Sequence, residues 1–303
     1  MILYADSGST KTDWALKTEE GKIVSWKSGG WNPYFLTTEQ MVEEGKNFIN
    51  QSYFENQNTP NNFLEEYLYK VEEIQFYGAG CSTEANRKIV YEALKTLFPQ
   101  AKKIEVAHDL LGAARSVYDD TKDEMGIVMI LGTGSNACLY DGKNILKELT
   151  NLGFWLGDEG SGGYIGKQFV TDFLYGVLPN DIQDLFFKEC GLTREIVLKK
   201  AYQEPKPNEF FASFVPFLYK HKKQKFVREF LEYCFDEFFD RIRVEFDKSV
   251  VGGDTNNGEE LSFYAVGSVG YYFEDILRRR IEEMGGELVR VIKSPIEGLV
   301  DRK

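Results

Sequence analysis

Three short stretches of this sequence set glycine among hydroxyl side chains directly after an apolar run: Asp6-Ser7-Gly8-Ser9-Thr10-Lys11-Thr12, Leu131-Gly132-Thr133-Gly134-Ser135-Asn136 and Ala265-Val266-Gly267-Ser268-Val269-Gly270. Glycine lacks the Cβ that would hold a ligand off the backbone, and hydroxyls add donors, so such turns suit anionic oxygens. The same residues also serve simply to reverse a chain, and each turn alone leaves both readings open. Carboxylates stand nearby. Asp6 closes the first apolar run, where it could hold Mg2+ through water, since that ion keeps much of its hydration shell. Asp109 follows "KIEVAH". A carboxylate at the end of a strand could accept the proton of a hydroxyl attacking a γ-phosphate, or could cap the next helix. Asp158 and Glu159 lie among glycines in "GFWLGDEGSGGYIG". They could cap a helix or bind the hydroxyls of a polyol, with Phe154 or Trp155 shaping the site. Asn32, in "GGWNPYF", offers a donor and an acceptor on a loop.

Other chemistries are excluded or disfavoured. Neither GxxxxGK[ST] nor GxGxxG occurs, so neither a Walker A loop nor a dinucleotide fingerprint is present. The 303 residues contain only two histidines, His108 and His221, which leaves acid–base chemistry mainly to carboxylates. Four scattered cysteines, Cys81, Cys138, Cys190 and Cys234, have no metal-ligand spacing and read as reduced thiols. A net charge of −12 argues against nucleic acid or an anionic membrane as partner. No apolar run approaches the roughly 20 residues of a membrane span, and no signal peptide opens the chain, so the expectation is a cytoplasmic protein.

The elements that must position these residues alternate. Residues 2–6 read as a strand, and Thr12 to Leu16 as a strand paired with Ile23 to Trp26. A helix is predicted over 38–50, then a strand over 72–80, a helix near 84–97, a strand over 103–109 and a helix over 110–118. That order signals an α/β fold. Stretches 56–62 and 251–260 read as loops. Residues 126–153 repeat the layout of residues 2–30: apolar strand, small-residue turn, strand, Gly-Lys turn, strand. Gly8-Ser9 falls over Gly134-Ser135, and Gly21-Lys22 over Gly142-Lys143. An internal duplication follows, with two related domains, 1–109 and 110–286. Beyond residue 160 the chain is mainly helical, its Phe and Tyr stripes expected in a core.

Taken in order, "DSGSTKTDW", "GGWNPYF", "YGAGC", "AHDLLGAAR", "LGTGSNACLY", "GDEGSGGYIG", "AVGSVGYYF" and "SPIEGL" resemble the actin-like ATPase and sugar-kinase superfamily. More narrowly, they resemble the BadF/BadG-type ATPase group that includes N-acetylglucosamine kinase. The resemblance implies two actin-like (ribonuclease H-like) domains with ATP in a cleft between them, the first rejoined by about 287–303. It assigns the ATP phosphates to Ser9, Thr10 and Lys11 and to Gly132, Thr133 and Gly134. Gly267, Ser268 and Val269 fall in its adenosine segment, and Ala212 lines the adenine. Asp109 matches the catalytic base; Asn32, Gly153 and Asp158 match the substrate-binding positions, with Asp109 among them. The implied activity is ATP- and Mg2+-dependent phosphorylation of an amino sugar at its 6-hydroxyl, by a protein that could form a homodimer. The competing implication is an ATPase that activates a partner enzyme, as BadF-like proteins do with an iron–sulfur cluster held by paired cysteines. An actin-type filament protein is disfavoured, because it would leave the sugar-type loops unexplained.

Overall fold

The computed structural model of the chain describes residues 1–8, 11–50, 67–119, 121, 125–246 and 261–302. The loops expected at 56–62 and 251–260 lie outside them, as do Ser9 and Thr10. Two compact units form: Met1–Ser116 with Ser294–Lys303, and Val117–Lys293.

The first unit is built on a mixed five-stranded sheet of β1 (Ile2–Ser7), β2 (Lys11–Lys17), β3 (Ile23–Gly29), β4 (Glu73–Gly78) and β5 (Lys103–His108), in the order β3-β2-β1-β4-β5. The first three strands form an antiparallel meander, and β4 and β5 continue in parallel with β1. Central β1 and β2 are buried along most of their length, as covered strands must be, whereas β3 at the edge alternates buried and exposed residues. Trp14 anchors one face: its ring stacks on Trp26 at 6.2 Å and meets Trp31 edge-on at 5.2 Å. The helix Glu84–Leu97 starts where the Thr83 side chain accepts the Asn86 N–H at 3.2 Å.

The second unit repeats this plan with β6 (Gly126–Leu131), β7 (Ser135–Tyr140), β8 (Ile145–Glu148), β9 (Leu261–Val266) and β10 (Gly286–Ile292). Its order, β10-β9-β6-β7-β8, is the first sheet's order read from the other edge. The duplication therefore extends beyond the hairpins to both parallel strands. Its helices close on a phenylalanine-rich core, as the stripes predict. The helix Lys225–Glu245 buries Val227, Phe230, Leu231, Cys234, Phe235, Phe238, Phe239 and Ile242, the three- and four-residue spacing of one helical face.

Two expectations are corrected by hydrogen-bond ladders. The last pair of β1 and β2 is Ser7 with Thr12, whereas that of β6 and β7 is Leu131 with Ser135. The first turn is thus one residue longer, and Gly8 takes the place of Gly132 rather than of Gly134. The glycine turns Gly21 (φ 81°) and Gly142 (φ 88°) do correspond, both left-handed. The domain boundaries also shift. The helix Asp109–Val117, expected to open the second domain, lies in the first unit as far as Ser116, where Leu110, Ala113 and Ala114 are buried and Gly112 lies against Tyr77. Residues 287–292, expected to rejoin the first domain, instead belong to β10, which pairs in parallel with β9. Only Ser294–Lys303 returns. There Leu299 and Val300 of the helix Pro295–Asp301 pack on Tyr4, Ala15, Tyr77 and Ala107.

Candidate functional site

In the first unit the parallel register brings Ser7, Gly78 and His108 level, so the carboxyl ends of β1, β4 and β5 share one edge of the sheet. That edge is where open α/β sheets present ligand-binding residues. Asp6, in β1, pairs across the ladder with Asp13. Burial, then the carboxylates of Asp109 and Asp13, push the Asp6 carboxyl up to about 7, against a smaller opposite effect of Lys11. Asp13 is itself satisfied, with Lys11 Nζ at 2.8 Å and Lys27 Nζ at 3.6 Å. Lys11, expected on a phosphate, thus rests on Asp13.

Asp109 is the first residue of its helix, and both contacts to its carboxylate fall on one oxygen. Oδ1 accepts the Leu110 N–H at 2.9 Å and has His108 Nε2 at 3.0 Å. Oδ2 has no hydrogen-bond partner among the described residues. Asn32 is buried, and its Oδ1 accepts the Tyr34 N–H at 2.9 Å. It packs on the loop after β4 so closely that a Cβ at Gly80 (φ 83°) would come within 2.5 Å of Oδ1. The neighbouring Cys81 thiol is pushed up to about 12, chiefly by burial and then by the Asp109 carboxylate. Asn32, Asp6 and Asp109 therefore gather at the same sheet edge.

The second unit holds the other residues, and Gly162 is where they meet. A Cβ there would lie 3.2 Å from Ala212 Cβ, 3.3 Å from the Gly132 carbonyl and 3.4 Å from Val269 Cγ2. Gly267 (φ 119°) lies against the Leu131 carbonyl and Gly132 N so tightly that no side chain fits. The helix Gly162–Tyr175 begins at Ser161, whose hydroxyl accepts the Tyr164 N–H at 3.0 Å. Its first N–H groups are spent on the turn: Gly162 N donates to Gly132 O at 2.8 Å and Gly163 N to Thr133 O at 3.0 Å. Gly132 N donates to Gly134 O at 3.0 Å. All three carbonyls of the turn are thereby bound, while the N–H groups of Thr133 and Gly134 find no acceptor among the described residues. Paired donors with their carbonyls tied back form a nest for an anion. Ser268–Tyr272, the helix after the third turn, has only five residues, and its first N–H groups belong to Ser268 and Val269.

Asp158 belongs with this turn. Its φ of 56° turns the carboxylate toward Gly134, where a Cβ would lie 3.1 Å from Oδ2. Burial raises its carboxyl above the usual range. Gly153 (φ 70°) opens the short helix Gly153–Leu156, with open space where its side chain would be. Trp155 is exposed and stacks on Tyr202, while Phe154 lies beneath Lys167 Nζ at 4.9 Å and faces Gly163. Among the described residues no three His, Cys, Asp or Glu side chains form a direct metal cage. A cation held by Asp6 through water fits a carboxylate that its acidic neighbours otherwise oppose. Sequence reasoning missed Gly162 and Gly163 as the points where the turn Gly132–Gly134 comes close to Ala212, Val269 and Phe154. The run Gly160-Ser161-Gly162-Gly163 was the available signal, since a helix rarely opens on consecutive glycines without a close neighbour.

No protein-family model matches the chain. Among solved structures, the doubly built α/β architecture recurs in a ROK family glucokinase from Streptomyces griseus in complex with glucose and AMPPNP. That likeness has a TM-score of 0.52 and 13% identity over 99% of this chain and 96% of that one. A candidate N-acetylglucosamine kinase from Chromobacterium violaceum gives a TM-score of 0.64 with 15% identity, covering 99% and 97%. These likenesses define the class, the actin-like ATPase and sugar-kinase fold. A Porphyromonas gingivalis protein, also described as a candidate N-acetylglucosamine kinase, aligns with TM-score 0.84 and 34% identity over 100% of this chain and 98% of that one. The chain belongs to the family of that protein, within the actin-like sugar-kinase superfamily.

No helix among the described residues is long and apolar enough to cross a membrane.

Proposed function

We propose that this protein transfers the γ-phosphoryl group of ATP to a hydroxyl of an amino sugar, in the first instance the 6-hydroxyl of N-acetylglucosamine. One observation carries the reading: the unpaired Thr133 and Gly134 amides stand on a turn that shares Gly162 with Ala212 and Val269. That proximity supports a reading in which phosphate-binding donors and an adenosine-binding segment belong to one unit. Gly132, Thr133, Gly134, Gly267, Ser268, Val269 and Ala212 take the nucleotide, with Ser9, Thr10 and Lys11 contributing from the first turn. Asp109 accepts the hydroxyl proton on Oδ2 as the new oxygen–phosphorus bond forms and ADP departs with the electrons of the broken bond. Asn32, Gly153 and Asp158 bind the sugar. Mg2+, when bound, would neutralise phosphate charge, with Asp6 holding it through water. The family description of the Porphyromonas gingivalis relative supports the sugar, and the ordered motifs support membership of the BadF/BadG group.

The activator reading draws no support from the thiols. Cys81, Cys138 and Cys234 are buried, and burial raises all three above the range in which a thiolate forms readily.

A coupled ADP-release assay over hexoses, glucosamine and N-acetylhexosamines tests the proposal. ADP release should depend on an N-acetylhexosamine, and Asp109→Asn should lower kcat by about 100-fold or more while nucleotide affinity stays within about twofold. Equal release with and without every sugar would overturn the substrate assignment, and a fully active Asp109→Asn would overturn the mechanism.

A further inference from the structure

We infer that Asn151 is a positioning residue for the sugar: its side-chain amide fastens the loop 151–159 to Ser135, the residue after the Thr133–Gly134 nest, and holds Gly153 in its left-handed turn. This rests on the phosphoryl-transfer reading above, in which Gly153 and Asp158 bind the sugar. Two short hydrogen bonds support it. Asn151 Nδ2 donates to the Ser135 carbonyl at 2.6 Å, and Asn151 Oδ1 accepts the Gly153 N–H at 2.6 Å. These partners fix which way the amide points, since exchanging its oxygen and nitrogen would set oxygen against a carbonyl and N–H against N–H.

The strand ladder explains why the side chain stands there. Beyond β8 the chain still follows β7, and Leu149 N donates to Ala137 O at 2.8 Å. Two residues on in the chain and two back in β7, the next acceptor is Ser135 O. The side chain of Asn151 takes it, where a continuing strand would supply a backbone N–H. The backbone is thereby released to turn at Gly153 (φ 70°), while the start of the loop stays tied to β7. The far end of the loop returns to the same residue. Ser135 Oγ donates to the Glu159 carbonyl at 2.7 Å, and Ser135 N donates to Asp158 Oδ1 at 3.5 Å. Ser135 thus clasps both ends of the loop, and ends that meet are the mark of a compact surface loop. Gly153 has its own N–H on Asn151 and its carbonyl on Gly157 N at 2.8 Å, which leaves the open space where a side chain would be as its opening to a ligand. Where that space lies relative to Asp158 and to the nest is set at Ser135, and Asn151 is the tie on the Gly153 side.

Two variants test the inference, with Asp109→Asn as their companion. Asn151 is exposed, so its replacement strands no side-chain group in a core and the variants should fold. Asn151→Ala removes both bonds. KM for N-acetylglucosamine should rise about tenfold, as two hydrogen bonds of ordinary net worth imply, while kcat stays within about threefold and KM for ATP within about twofold. Asn151→Asp keeps an acceptor for the Gly153 N–H but sets a second oxygen against the Ser135 carbonyl, so at neutral pH it should raise the same KM at least as far. A wild-type KM for sugar in Asn151→Ala, with turnover lost in Asp109→Asn, overturns the positioning role and leaves the reaction assignment standing. A wild-type KM in Asn151→Asp would show that the turn at Gly153 suffices, and the tie to Ser135 is then wrong. Equal rises in the two KM values mark a general loosening of the unit and overturn the inference as well. If no sugar drives turnover, the reaction assignment fails and this role fails with it. Should Asn151→Ala not fold, Asn151→Asp, which keeps the Gly153 bond, decides.

Discussion

Asp6 is held between two other acids, Asp13 across the ladder and Asp109, whose carboxylate also raises it, and that arrangement has a measurable consequence for the unliganded protein. Its carboxyl rises from an ordinary 3.8 to about 7, so between those values the folded state binds more protons than the unfolded one. Stability therefore falls as pH rises through this window, by at most about 4 kcal/mol at roughly 1.4 kcal/mol per pH unit. Urea unfolding at pH 5 and pH 8 should show the wild type losing stability at the higher pH and Asp6→Asn losing much less. Added Mg2+ should raise Tm at pH 8 for the wild type more than for Asp6→Asn, because a cation favours the ionised form. Equal Mg2+ responses would remove Asp6 from the cation site. The residue types at 6, 109 and 158 were legible as chemistry from the chain alone. That Asp158 lies against Gly134 was not, because it depends on a side chain meeting a residue brought by another element, whereas Lys11 reaches Asp13 within its own strand.

Elements decide how closely Gly132, Ala212 and Val269 approach one another around Gly162. Gly162→Ala puts a methyl group into a space with neighbours at 3.2 to 3.4 Å on the Ala212, Gly132 and Val269 sides. Those segments must part by a few tenths of an ångström. Nucleotide affinity, read by calorimetry, should fall about tenfold, equivalent to about 1.4 kcal/mol, with a modest loss of Tm. Unchanged affinity would show that the convergence at Gly162 does not matter to the ligand. Gly166→Ala is a different case. Its Cβ would overlap the Phe211 carbonyl, backbone against backbone, between the helices Gly162–Tyr175 and Pro207–Ala212. That variant should lose more than about 3 kcal/mol of stability in denaturant titrations. Helices and hairpins at these positions follow from local patterning. The one-residue difference between the two strand turns does not, because matching glycines by type ignores which residues the ladder pairs.

At the scale of the whole molecule, the chain crosses from the first unit to the second at Ser116–Val117 and returns after Lys293. The returning helix completes the first unit's core through Leu299, which is 1% exposed. Leu299→Ala should cost about 2–5 kcal/mol. Hydrogen exchange should quicken in β1 and β2 while β6 and β7 keep their protection, since Leu299 touches only the first unit's cluster. Equal loosening in both sheets would show that the units unfold together. The duplication and the α/β class were readable in the sequence as repeated order. The boundaries moved because burial of Leu110 to Val117 and the pairing of β10 with β9 are tertiary facts.

What the amino-acid order determined by itself is local: apolar runs of strand length, glycine at left-handed turns, helical faces three and four residues apart, and carboxylates at strand ends. Each depends on neighbours in the chain, so pattern alone suffices. Only the tertiary structure decided that Gly132, Gly162, Ala212 and Val269 share one point, and that the Thr133 and Gly134 amides are left without acceptors. It also decided that the Leu110 N–H takes one oxygen of Asp109 and leaves the other without a hydrogen-bond partner among the described residues. These outcomes depend on where backbone carbonyls and side-chain atoms fall once both sheets are formed and covered. Hydrogen-bond satisfaction and close packing act between residues far apart in the chain, and no periodicity in the sequence encodes them.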